Sequence, residues 1–520
     1  VHIINIKGTN MQASWIFWHR WLGIFACIGL ILWGSSGISH PIMTRLQPVP
    51  VAFTAPHQSF DLSQSLSPQA ILQQHNIPQV AHLGVSTIDG KTYYRVSENP
   101  TLAAHYFDAE TGAELANADA KLAGLLASHF TGRPIDSITK AELITEFSDD
   151  YHAINRFLPA WRVEFAGDDH LRAFIDTEQL RLATLVDDTR YIFTKIFRIG
   201  HNWSFIESMP KLQLGIMATI LSLILFSAVS GIYLFFKQSR MSDMRLAKQG
   251  VRRWHRRLGI TVALATLILA SSGLFHLIMS YKQQYEVMPT QPISIAANQF
   301  EPTVWDTIKQ QTLAKVDLTQ QAGQPYWFVL PANGTQQMHE AQVGMLKKES
   351  TEKKINHPDH HEHHDHAAHA PTERIQPYVV RADLPFSQPA KDSVKQLVQA
   401  QAAQYAQKPL SEIQSAEWVN KFGGEYGFIF KRLPVIKVQF ADPDNRAGNP
   451  RYFIEPSTGV LAAKVTDIDH TEGWFFGYFH KWSFMDFNKT LRDILVSLFA
   501  LGNIVVGVMG IVLFSRHLKS

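Results

Sequence analysis

The chain has 520 residues, a formal net charge of +3 and a single cysteine, Cys27. That length excludes one small domain, and so balanced a charge gives no general reason to bind nucleic acid. One cysteine makes neither an internal disulfide nor a Cys-x-x-Cys-His attachment, which leaves the 24 histidines as the residues to follow.

Residues 1–14 form a short N-terminus. The stretch 15–40, Trp15 to His40, is long and apolar enough to cross a bilayer, which takes about 20 residues. It is too long, and too poor in small residues at its end, for a cleaved signal peptide, and reads as an uncleaved anchor. A long segment, 41–211, leads to a second span at 212–236. The loop 237–257 then carries Lys237, Arg240, Arg245, Lys248, Arg252, Arg253, Arg256 and Arg257 against one acid, Asp243. An excess of Lys and Arg beside spans marks the cytoplasmic side. The third span is 258–281, the second long segment 282–490 and the fourth span 491–515. The tail 516–520 adds Arg516, His517 and Lys519. Both termini are therefore expected in the cytoplasm, and both long segments in the periplasm of a bacterial inner-membrane protein.

The long segments read as soluble α+β domains. Helical stretches such as 138–147 and 393–407 are expected to alternate with short strands such as 160–165 and 435–440. HYFDAETGAEL at 105–115 and RYFIEPSTGVL at 451–461 read as strand-then-turn units, each with a glycine for the bend. Residues 340–375 are different material, charged and nearly free of apolar side chains, and are expected to form an exposed, disordered insert.

The two halves repeat. WHRWLG at 18–23 recurs as WHRRLG at 254–259, and SSGISHPIM at 35–43 as SSGLFHLIM at 271–279, both shifted by 236 residues. HNWSF at 201–205 recurs as HKWSF at 480–484, and RFLPAWRVEF at 156–165 resembles KRLPVIKVQF at 431–440. Each half is helix, soluble domain, helix, with the same topology. A pseudo-twofold axis along the membrane normal is expected, with corresponding residues facing each other across it.

His19 and His40 lie 21 residues apart on one span, as do His255 and His276 on its copy. At 1.5 Å per residue that is about 31 Å, close to the hydrocarbon thickness, with both rings on one broad face. Neutral imidazole is a good axial ligand for haem iron, and two imidazoles from facing helices fill both axial positions. Symmetry pairs His19 with His255 on the cytoplasmic side. Gly23 and Gly259 follow those histidines by four residues, and Gly37 and Gly273 precede His40 and His276 by three. Such gaps let a porphyrin lie against a helix. On the periplasmic side His40, His276, His201 and His480 compete. One arrangement ligates haem through His40 and His276, with the others contacting propionate or substrate; another uses mixed pairs such as His40 with His480, or two haems. The bland alternative for each is an interfacial histidine with its ring among the headgroups. Trp33, in mid-span, reads as packing. In the insert, His357, His360, His361, His363, His364, His366 and His369 are interspersed with acids, a composition that binds divalent metal weakly or serves as a solvated linker. No dinucleotide fingerprint, P-loop, nucleophile elbow or His-Glu-x-x-His is present, and no catalytic residue is assigned.

WHRWLG and WHRRLG at the odd spans, the histidine before each even span, SAVSGIYLFF at 227–236 and FIEPSTG at 453–459 together resemble the PepSY-associated transmembrane family. The resemblance covers 15–515 apart from the insert. It implies a bacterial inner-membrane protein linked to iron uptake, with PepSY-like periplasmic domains, of a kind that includes haem-containing reductases of ferric siderophores. His19 and His255 fall on the family's HRWLG-type histidine, and His201 and His480 on the one preceding the even spans. His40 and His276 are additional to that pattern.

The expected fold is thus a membrane protein of four transmembrane helices in two tandem repeats with α+β PepSY-like domains. The expected activity is reduction of ferric iron, as a siderophore or other chelate, using haem b. Two haems are expected, with one to three compatible with the histidines, and electrons would come from a cytoplasmic donor or the quinol pool. The alternative is a non-enzymatic membrane module that binds a periplasmic metal or partner.

Overall fold

The computed structural model describes residues 6–238, 250–284, 294–332, 376–442 and 448–519, in two compact units. One gathers the chain ends and the middle, 1–47, 188–287 and 468–520; the other holds 48–187 and 288–467.

Among the described residues the first unit has four helices long and apolar enough to cross a membrane, and the protein is a multi-pass membrane protein. They run Ile6–Leu46, Pro210–Gln238, Gly250–Gln284 and Lys489–Leu518, here spans 1 to 4. Apolar side chains all round each helix suit lipid, where every backbone group must bond within its own helix. Span 1 packs on spans 2 and 4, and span 3 packs on the same two. Spans 1 and 3, the two copies of the WHR helix, therefore stand at opposite corners of the bundle. Small residues let the helices approach closely: a Cβ on Gly29 would fall 2.6 Å from Ile220, and one on Gly502 2.6 Å from Val262. Each even span is preceded by a short helix absent from the sequence reading, Asp188–Phe197 before span 2 and Asp467–Phe475 before span 4. Both widen into a π-helical turn, Arg198–Asn202 and Phe476–His480.

The second unit is α+β. Its central sheet has the strand order Tyr378–Arg381, Gln324–Pro331, Leu313–Gln321, His82–Ile88, Lys91–Ser97, His105–Asp108. Each copy contributes three strands, and the copies join where Gly84 pairs with Asp317. Two four-stranded antiparallel sheets, spanning Ile138–Val186 and Ile413–Val465, each carry one helix, Ala118–Thr131 or Ser393–Ala406. Leu122, Leu126 and Phe130 of the first helix pack on Val163 and Ile175; Leu397 and Val398 of the second join a core with Ile436 and Ile454. The turns at Gly112 and Gly459 have φ of 74° and 72°, as their sequence suggested.

One expected helix is a strand. Residues 138–147 contain Ile138–Ile144, which pairs along its length with Ala160–Phe165. KAEL favours helix weakly, a few tenths of a kcal/mol per residue, and pairing at the sheet edge outweighs it. The His-rich insert, with His357 to His369, and part of the basic loop lie outside the described residues.

Candidate functional site

Span 1 and span 3 direct His19 and His255 into one cavity of about 670 Å³ inside the bundle, lined also by Gly23, Gly231, Gly259 and Gly510. That volume is in the roughly 300–1,000 Å³ range of cofactor and ligand sites. Four glycines, one from each span, leave its walls without side chains. A Cβ on Gly231 would stand 3.4 Å from the His19 ring, and one on Gly510 would stand 2.9 Å from Cys27 Sγ and 3.8 Å from the His255 ring. A flat macrocycle fits such a space, and the donor set suits haem: His19 and His255 offer imidazoles from opposite corners, with the Cys27 thiol and His517 also in the lining. His19 Nδ1 lies 2.8 Å from Ser230 Oγ. Ser230 donates its own proton to the Ser227 carbonyl at 3.2 Å, so its oxygen accepts from Nδ1–H and the Nε2 lone pair of His19 is left free.

At the other end of the bundle the same device occurs twice. Ser36 donates to the Leu32 carbonyl at 2.9 Å and accepts from His201 Nδ1 at 3.2 Å. Ser272 donates to the Leu269 carbonyl at 3.1 Å and accepts from His480 Nδ1 at 3.2 Å. Both Nε2 atoms are free, and the two ring centroids are 6.1 Å apart with planes at 77°. Burial first, then the neighbouring imidazoles, lowers His201 to about 3 and His480 to about 4, so both rings are neutral at physiological pH. Each is held by its π-helical turn and by the residue two positions on. Trp203 and Trp482 both adopt left-handed φ of 56°, a conformation that costs a bulky residue about 1–2 kcal/mol. Trp203 stacks on Trp33 at 5.4 Å, and Trp33 Nε1 donates to the His201 carbonyl at 2.9 Å. Trp33 therefore buttresses the His201 turn as well as packing.

A family model described as the PepSY-associated TM region matches residues 16–349. The chain belongs to the PepSY-associated transmembrane family. No curated protein matches it.

In this PepSY-associated transmembrane protein the upper pair brought together is His201 with His480, not His40 with His276. The latter two flank the pair: His40 lies 5.5 Å from the Phe197 ring, itself stacked on His201 at 4.5 Å. His276 stacks on Phe476 at 3.9 Å, and Phe476 on His480 at 4.8 Å. Six rings thus run continuously from one outer histidine to the other. His276 Nδ1 also pairs with Glu472 at 2.6 Å. Of the expected glycines, Gly23 and Gly259 line the lower cavity, Gly273 faces the His480 ring, where a Cβ would lie 3.6 Å away, and Gly37 faces open space. Among the described residues no group of three or more His, Cys, Asp or Glu is placed to hold a metal ion. Ser36, Ser272, Ser230, Gly231 and Gly510 escaped the sequence reading. Their signals were present: the second serine of the duplicated SSG, and the SG and MG pairs about two turns from the end of each even span.

Proposed function

We propose that this protein is an inner-membrane haem-b electron conduit that reduces a ferric chelate, such as a ferric siderophore, on the periplasmic face. The observation that carries this reading is the lower cavity, walled by glycine from all four spans and offering His19 and His255 from opposite corners. His19 and His255 would hold haem b there, and the group would supply a one-electron carrier. The chain's own residues supply orientation. Ser230 fixes the tautomer of His19, and Ser36 and Ser272 fix those of His201 and His480, which would form the second ligand pair. The basic residues between spans 2 and 3 support cytoplasmic termini, so electrons enter from a cytoplasmic donor or quinol and leave at the His201/His480 end. Ferrous iron is held far less tightly than ferric iron by hard oxygen chelators, so one electron releases the metal.

The test is direct. Detergent-purified protein is expected to show a Soret band and an α-band that sharpens with dithionite, and a pyridine-haemochrome count of two per chain. H19A and H255A should each lower that count by about one. A colourless wild-type protein, or a count that neither substitution changes, rejects the proposal.

A further inference from the structure

The lower pair is not symmetric, and the duplicated sequence shows why. The shift of 279 residues that relates His201 to His480 aligns SAVSGIYLFF of span 2 with VGVMGIVLFS of span 4. It superposes Gly231 on Gly510, which border His19 and His255 in the two copies, but sets Met509 where the first copy has Ser230 and Val506 where it has Ser227. His19 Nδ1 therefore has the Ser230 hydroxyl at 2.8 Å. His255 Nδ1 is buried with no side-chain hydrogen-bond partner; the acceptor beside it is the Val506 carbonyl, the counterpart of the Ser227 carbonyl beside His19. The three other inward imidazoles each rest on a serine, so His255 is the exception among the four.

We infer that Ser230 and Met509 are positioning residues that make the two axial ligands of the lower site unequal, His19 the firm one and His255 the yielding one. This rests on the haem reading above. A hydrogen bond to the far nitrogen fixes the ring and raises its basicity as a ligand, and loss of such a partner typically costs about 10–100-fold in metal affinity. A methionine thioether accepts hydrogen bonds only weakly, and an unpaired buried N–H gains by turning toward any acceptor within reach. On the His255 side a bound iron would thus be held by an imidazole with no side-chain partner at its far nitrogen. An exogenous ligand that competes for one axial position is directed to that side.

Three substitutions in the full-length, haem-loaded protein test this: S230A, S230T and M509S. M509S supplies the missing hydroxyl. It is expected to lower the midpoint potential of the lower haem, because a more basic imidazole favours ferric iron, and to weaken carbon monoxide binding to the dithionite-reduced protein about 10-fold or more. S230A is expected to shift the potential upward and strengthen carbon monoxide binding by a similar factor, and S230T, which keeps the hydroxyl, to restore wild-type behaviour. Redox titration and carbon monoxide difference spectra read both effects without substrate. M509S and S230A moving potential and ligand binding in the same direction, or leaving both unchanged while the lower haem is present, overturns the inference and spares the haem assignment. Absence of any lower haem in the wild type, shown by a count that H19A does not lower, overturns both.

Discussion

A serine hydroxyl that has spent its proton on a helix carbonyl can only accept, and that small fact selects which imidazole nitrogen faces inward. Ser36, Ser230 and Ser272 all do so, and each works because serine in a helix bonds back to a carbonyl three or four residues earlier. The histidines themselves were legible: their 21-residue spacing and duplication are written in the chain. Their serine partners were only half legible, because Ser230 meets His19 across two helices whose relative rotation no periodicity reveals. The pairing of His201 with His480 was hidden for a related reason. A π-helical turn adds a residue per turn relative to the α-helix, so a ring placed by ordinary helical angles points elsewhere. The glycines yield a prediction of their own. G231L fills the cavity beside the His19 ring and should remove the lower haem while the His201/His480 spectrum persists. Retention of a full haem count in G231L, measured on protein that elutes as wild type in size exclusion, would contradict the cavity as the site.

At the scale of the element, the second unit is pinned by one carboxylate. Glu455, the acid of FIEPSTG, is 2% exposed. It pairs with Arg181 at 2.9 Å and Arg432 at 2.7 Å and accepts from Thr458 at 2.9 Å. Both guanidiniums also lie over the Phe157 ring, at 4.6 and 5.0 Å. Burial alone would raise this carboxyl, but Arg181 and Arg432 outweigh it and hold it down at about 2, against an ordinary 4.5. A folded-state value below the unfolded one contributes stability above pH 4.5 that is lost as pH falls toward 2, on the order of 3 kcal/mol. E455Q should abolish this component and, by leaving Arg432 without its carboxylate while Arg181 keeps Asp176 at 2.8 Å, destabilise the unit by about 3 kcal/mol at neutral pH. Thermal melts of the full-length protein at pH 7 and pH 3 measure both, and equal loss of Tm on acidification in wild type and E455Q would refute the linkage. The sequence showed this turn but not its charge partners, since Arg181 and Glu455 lie 274 positions apart. The strand Ile138–Ile144 was missed for a similar reason: its partner, not its composition, decides its conformation.

For the whole molecule, topology was the most legible property, because a bilayer turns length and apolarity into architecture. Cys27 makes its orientation easy to test, being the single cysteine and buried. Leu102 is 64% exposed in the second unit, and Arg253 stands at the start of span 3. A membrane-impermeant maleimide added to spheroplasts should label L102C and spare R253C, with the reverse in inverted vesicles; the opposite pattern would turn the protein over. The corner arrangement of spans 1 and 3 also bears on what one repeat alone can do. Each histidine pair draws one imidazole from either half, so a chain carrying one repeat holds one member of each pair. On the proposed ligation such a half-length chain would bind haem only with a parallel twin, whereas two repeats in one chain leave the two faces free to differ, as Met509 in place of Ser230 illustrates.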